Sequence, residues 1–112
     1  MNDLDPVWKA LSDATRRDIL DILHDGPRTT SEIVDCFPQM SRFGVMKHME
    51  VLRQADLINT REEGRRRIHS LNAVPIRQIY ERWVSGFEDL WATKLLGLKR
   101  SLEQDSPEEP SD

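Results

Sequence analysis

Ser41-Arg42-Phe43-Gly44-Val45-Met46-Lys47-His48-Met49-Glu50-Val51-Leu52, followed shortly by Arg61-Glu62-Glu63-Gly64-Arg65-Arg66-Arg67, decides the fold. Val45, Met49 and Leu52 recur at helical spacing and are expected to face a core, with Ser41 as the capping residue. Arg42, Phe43, Met46 and Lys47 then fall on the outward side, near the start of the helix. Leu57–Glu62 and Arg65–Leu71 read as two short strands joined by a two-residue turn at Glu63-Gly64. A helix with a basic face leading into a cationic hairpin has the shape to enter a DNA groove and grip the phosphates beside it.

Working outward, the upstream segment supplies a frame. Asp5-Pro6 reads as a cap followed by proline at the first helical position, and Val7, Trp8 and Leu11 give that helix a short apolar face. Asp13 caps a second helix through Ile19, Leu20, Ile22 and Leu23, which Gly26-Pro27 ends. Thr29-Thr30-Ser31-Glu32 matches a capping box and opens a short helix through Ile33, Val34 and Phe37. Pro38-Gln39-Met40 breaks it just before Ser41. Two short helices so closely spaced form a helix-turn-helix, and the hairpin adds a wing. The fold expected is mainly α with a small β-hairpin, a winged helix-turn-helix occupying residues 5–102. One long helix is expected from about Pro75 to Leu102, and residues 103–112 read as an acidic, disordered tail.

The formal net charge of −4 over 112 residues hides an asymmetry. Residues 1–40 are net −4, residues 41–71 net +3, and residues 72–112 net −3. Polyanion binding follows the local field, so the basic middle matters more than the total. Cys36 is the sole cysteine, which excludes an internal disulfide and fits a reducing compartment. With no charged-then-apolar leader and no long apolar run, a cytoplasmic protein without a membrane span is expected.

Each feature has a plain reading beside the functional one. The Ser41–Leu52 helix is also what an ordinary amphipathic surface helix looks like, but outward Phe43 and Met46 are costly unless they meet a partner, and thymine methyls are one. Arg42 suits paired hydrogen bonds to a guanine edge, and Lys47 a base or a phosphate. Gly44 lowers helix propensity but permits close approach of the backbone to DNA. Arg61 and Arg65 to Arg67 also serve as a solvated edge that discourages aggregation. Arg65, Arg67 and His69 share one strand face and Arg66 and Ile68 the other. Ile68 is expected to pack inward, which leaves Arg65 and Arg67 as the better phosphate contacts, with Arg66 a third candidate.

On the C-terminal helix Ile79, Trp83, Phe87, Trp91 and Leu95 are each four residues apart, with Leu98 and Leu102 beyond them. This face serves core packing, a subunit interface joined by Trp8, or an effector pocket among Trp83, Phe87 and Trp91. A homodimer interface through Trp8, Trp83, Phe87, Trp91 and Leu95 is the preferred expectation, since twofold symmetry carries two helices to half-sites roughly 34–36 Å apart. His24, His48, His69 and Cys36 form no metal-ligand spacing, so no metal and no cofactor are expected. His48 is expected to pack or to touch the DNA backbone, and Cys36 to be a small buried apolar residue. No phosphate-cradling glycine loop and no nucleophile with a nearby base is present, so catalysis is not expected.

Residues Leu11–Leu20, Gly26-Pro27, Ser41–Leu52 and Glu63-Gly64-Arg65-Arg66 resemble the ArsR/SmtB-type winged-helix repressors, over nearly all of Val7–Leu102. The ending Ile79-Tyr80-Glu81-Arg82-Trp83-Val84, with Trp91 and Leu98-Lys99-Arg100, is similar to a subgroup without the metal site. Genes of that subgroup often neighbour one for a START-like lipid-pocket protein. The resemblance implies a homodimeric DNA-binding repressor with first and last helices at the interface. Metal-sensing members carry Cys-x-Cys after a glutamate. Here Glu32 is followed by Ile33-Val34-Asp35-Cys36, so Val34 stands at the first cysteine position. The Asp/His ligand set of the family's last helix has no counterpart either. These readings converge on a regulator that binds a palindromic operator as a homodimer, with an unknown small-molecule effector left open. The alternative is a ligand- or protein-binding module on the same scaffold, with Phe43 and Met46 as its patch.

Overall fold

The computed structural model describes residues 3–105. Their elements run α1 (Asp5–Leu11), α2 (Ala14–His24), β1 (Arg28–Thr29), α3 (Thr30–Asp35), α4 (Arg42–Gln54), β2 (Ile58–Glu63), β3 (Arg66–Leu71), α5 (Val74–Trp83) and α6 (Ser85–Asp105). The chain divides into two compact units between Arg77 and Gln78. The first holds α1 to α4 and the sheet; the second holds the end of α5 and all of α6.

Side-chain caps set the helix starts of the first unit. The Asp13 carboxylate accepts the Arg16 N–H at 3.2 Å. Burial acts to raise the Asp13 pKa, but that bond and the His48 and Arg16 charges outweigh it, and the carboxyl lies below its usual value. Thr29 and Glu32 close a reciprocal capping box, at 3.1 Å to Thr29 Oγ1 and 2.8 Å to Glu32 Oε1. Ser41 Oγ accepts the Gly44 N–H at 3.0 Å. Asp5 departs from expectation. Leu4, not Asp5, is the α1 cap residue, because its buried side chain anchors the chain there and its carbonyl already accepts from Val7 and Trp8.

The helices deliver their apolar faces to one core. Ile19, Ile33, Val45, Leu52 and Leu57 are fully buried, each contributing about 1.5–3 kcal/mol over an exposed side chain. Of the α1 face, Val7 and Ala10 are buried while Trp8 is half exposed. Arg16 ties the bundle together: its guanidinium donates to the Lys9 and Ala10 carbonyls at 2.8 Å each and lies 3.1 Å from His48 Nδ1 on α4.

The sheet is larger than a hairpin. Its order is β1-β3-β2, all antiparallel, with Arg28 opposite His69 and Thr29 opposite Ile68. A two-residue strand is too short to leave an alternating pattern in sequence. The β2–β3 ladder pairs Glu63 with Arg66, so the loop residues are Gly64 and Arg65 rather than Glu63 and Gly64. Gly64 has φ 66°, and a two-residue hairpin loop needs such a positive angle at its first position, where glycine has no steric cost. The inward residue also differs: His69 is buried and Ile68 only half-buried. Two threonine hydroxyls meet the imidazole there, which makes its burial tolerable.

In the second unit the expected single helix is two. It is interrupted at Val84, just before Ser85-Gly86, a pair that weakens helical continuity through serine's backbone hydrogen bonding and glycine's missing Cβ. Along α6, Phe87, Leu90, Trp91, Leu95, Leu98 and Leu102 are all exposed. The helix continues to Asp105, and residues 106–112 of the expected tail lie outside the described residues. Among the described residues, no helix is long and apolar enough to cross a membrane.

Candidate nucleic-acid interface

The capped start of α4 presents the outward set together. Ser41, Arg42, Phe43, Met46 and Lys47 are all exposed, Phe43 at 70%. Val45, Met49 and Leu52 are buried on the opposite side, so the amphipathic reading of this helix holds residue for residue. The Lys47 ammonium lies 5.3 Å from the centre of the Phe43 ring, a cation–π contact that limits the ring's freedom. An added Cβ at Gly44 would meet Met40 Cγ at 3.1 Å and Ser41 Oγ at 3.3 Å, so this glycine serves the cap and the turn before it.

The hairpin stands beside this surface. A cleft of about 360 Å³ is lined by Thr29, Thr30, Ser31, Arg42, Met46, Arg65, Arg66 and Arg67. Helix and hairpin thus contribute to one concave, cationic surface, with no carboxylate among its described lining residues. The loop position of Arg65 puts it at the hairpin tip. Arg66 and Arg67 share their charge with Glu63 and Glu62, each at 3.8 Å, and Arg61 with Glu63 at 3.6 Å. Such exposed pairs are worth about 0–1 kcal/mol, so a phosphate can displace the glutamates at little cost.

The histidines sort by environment. His24 ends α2 and is exposed. His48 is half-buried between Arg16 and Asp13, with its Nδ1 3.7 Å from the Asp13 carboxylate. His69 is held at both ends, Nε2 lying 2.7 Å from Thr30 Oγ1 and Nδ1 2.9 Å from Thr60 Oγ1. Burial first, then the Arg67 charge, lowers its pKa below the usual 6.5. A depressed folded pKa means the unfolded chain holds more protons at mildly acidic pH. The stability due to neutral His69 is therefore complete above pH 6.5 and is lost as pH falls toward the folded pKa. Urea unfolding at pH 7.5 and pH 5.5 is expected to show a lower midpoint in acid, with a flatter dependence in His69→Gln; equal slopes for the two proteins would refute the assignment.

Cys36 corrects an expectation. It is exposed rather than buried, because α3 ends at Asp35 and leaves it at the helix C-cap, where its Sγ donates to the Glu32 carbonyl at 3.3 Å. Among the described residues no three histidine, cysteine or carboxylate side chains converge on a metal-sized site. Of the residues assigned to subunit contact, Trp8, Trp83, Phe87, Trp91 and Leu95 are each about half exposed, and the Phe87 and Trp91 rings lie 5.8 Å apart.

Sequence reasoning missed Thr30, Thr60 and Arg16. The two threonines are brought to His69 by strand pairing and by the packing of α3, which no local spacing encodes. Arg16 has a partial signal, since it stands three residues after its cap, but its bonds to α1 carbonyls depend on how α1 and α2 meet.

A short helix, a turn, a second helix with an exposed basic face and a β-hairpin beside it define a winged helix-turn-helix. Known proteins of the same shape agree. A family profile described as "Helix-turn-helix domain" matches residues 11–61. The chain is 35% identical over 81 residues to "Transcriptional repressor SdpR" of Bacillus subtilis (strain 168), covering 72% of this chain and 88% of that protein. It is 30% identical over 101 residues to "HTH-type transcriptional regulator Rv2034" of Mycobacterium tuberculosis, covering 90% of each. Among solved structures, an "ArsR family transcriptional regulator, RHA00566" superposes with TM-score 0.68 at 34% identity, covering 80% of this chain and 90% of that one. The chain belongs to the ArsR/SmtB family of winged helix-turn-helix proteins and is a DNA-binding transcriptional regulator, not an enzyme.

Proposed function

We propose that two copies of this chain bind a palindromic operator and repress transcription by occluding a promoter in the cytoplasm. The observation that carries this reading is the shared cleft, where the outward face of α4 and the hairpin arginines present one cationic surface. On this reading Arg42, Phe43, Met46 and Lys47 meet base edges, with Ser41 at the backbone beside them. Arg65 and Arg67 hold phosphates, and Arg66 adds to the local field. Repression is supported by the name of the SdpR relative. Dimerisation is supported by the exposed apolar row along α6, wider than a solvated helix face carries. The DNA-binding and dimerisation domain expected over residues 5–102 extends to Asp105, where α6 ends.

Salt dependence tests the wing. Changing Arg65 and Arg67 together to Ala is expected to weaken binding evenly across sequences and to reduce the log–log salt slope by about 0.9 for each phosphate no longer neutralised. Fluorescence anisotropy on duplexes from the chain's own upstream region measures this, and an unaltered slope would remove the wing from the phosphates. If Phe43 and Met46 instead form a protein-binding patch, binding to DNA is absent and the protein complex responds weakly to moderate salt.

A further inference from the structure

Thr30 connects two features that the recognition surface alone does not explain. It lines the roughly 360 Å³ cleft together with Ser31, Arg42 and Arg65. It also lines a smaller cavity of about 100 Å³ that shares Met46 and Arg67 with that cleft, and there its hydroxyl meets His69. Hydroxyls and arginines around Met46, with no carboxylate among the described lining residues, are matched to a phosphate group.

We propose that this cleft seats a phosphate, that Thr30 donates its proton to a phosphate oxygen, and that His69 sets the direction of that proton, so that phosphate binding and protonation of His69 favour each other. Where the phosphate is a DNA phosphodiester the proposal rests on the DNA-binding reading; a free phosphate-bearing ligand offers the same chemistry. Thr30 is the contact residue here, and His69 is a positioning residue acting through it.

The hydrogen count gives the reason. A hydroxyl has one proton to donate, and neutral imidazole has one N–H and one lone pair. Of the two threonines on the ring, one must therefore donate to it. Thr30 can release its proton outward only when Nε2 carries hydrogen. The imidazolium meets that condition always, the neutral ring in only one of its two tautomers. A phosphate on Thr30 thus favours uptake of a solvent proton by His69, and acid favours the phosphate.

The surrounding charges act in the same direction. Arg67 on His69's own strand, itself paired with Glu62, opposes the imidazolium. A phosphate that engages Arg67 offsets this repulsion. Across the ladder β1 places Arg28 opposite His69, while β2 supplies Thr60. From α4, Glu50 and Arg53 line the small cavity but are committed to each other by two hydrogen bonds. From α3 the group facing the ring is the Thr30 hydroxyl, and α2 buries the apolar Ile19, Leu20 and Leu23.

The test is an NMR titration of the His69 ring in the full chain, assigned by its loss in His69→Gln. It is run alone, with a short mixed-sequence duplex, and with inorganic pyrophosphate. A bound phosphate is expected to raise the titration midpoint by roughly half a pH unit, about a threefold gain in proton affinity. Thr30→Val, which keeps the shape and removes the hydroxyl, is expected to cut the rise to the part due to Arg67, and Thr30→Ser to restore it in full. A response to both probes supports a seat that takes DNA; a response to pyrophosphate alone supports the seat with a free ligand as its source. A duplex that binds by anisotropy while His69 titrates unchanged with either probe overturns the proposal and leaves the DNA-binding reading standing. A rise that persists undiminished in Thr30→Val overturns the relay. A duplex that fails to bind counts against the DNA-binding reading, and pyrophosphate then decides the seat by itself.

Discussion

Trp91→Asp is expected to convert the dimer into folded monomers and to abolish tight operator binding. Trp91 lies on α6 within the exposed row that runs through Phe87, Leu95, Leu98 and Leu102. Residues spaced three and four apart on a helix share a side, so this row forms a continuous apolar strip. On the proposed reading that strip is covered by its counterpart in the second copy. A carboxylate placed there would be desolvated without a partner, at a cost of several kcal/mol. The dimer dissociation constant should therefore rise by roughly a hundredfold or more, at about 1.4 kcal/mol per tenfold. The protomer should survive, because Trp91 is 47% exposed within the chain and its removal leaves no core cavity. Light scattering across a concentration series separates the outcomes: half the native mass with unchanged helical circular dichroism is expected, and native mass would refute the interface.

Arg42→Ala is expected to relax discrimination at one operator base pair and to cost about 1–3 kcal/mol. Arg42 is the first residue of α4, exposed and directly after the Ser41 cap, at the end where a recognition helix meets base edges. Its guanidinium suits the two acceptors on the guanine edge in the major groove, and alanine leaves them unsatisfied. The loss should be concentrated at one position, in contrast to the even weakening expected from the hairpin arginines. Affinities across single-base operator variants measure this. A uniform loss would reassign Arg42 to phosphate, and no loss would remove it from the interface.

Much of the fold was legible because it is locally encoded. The Asp13, Thr29 and Ser41 caps each bond a backbone N–H three residues on, and Val45, Met49 and Leu52 keep one face of a helix whatever surrounds them. Gly64 marked the hairpin, although the loop register was off by one residue because Glu63 remains paired with Arg66. What could not be read depends on long-range pairing. β1 has two residues and exists only because β3 lies beside it, and the burial of His69 follows from α3 and β2 bringing Thr30 and Thr60 to its two nitrogens. The break before Ser85-Gly86 was written in the sequence but masked by the apolar four-residue spacing that runs through it. For the candidate site, the exposed residues of α4 were identified individually, whereas the cleft that unites them with the hairpin and Thr30 belongs to the folded chain.

Hydroxyl-radical footprinting of the chain on duplex DNA from its own upstream region tests the central claim most directly. Two protected patches on one face of the duplex, centred roughly 34–36 Å apart, are the expected result for two recognition helices presented by a dimer. Uniform cleavage at protein concentrations that saturate binding elsewhere, or a single patch without a symmetric mate, would contradict it.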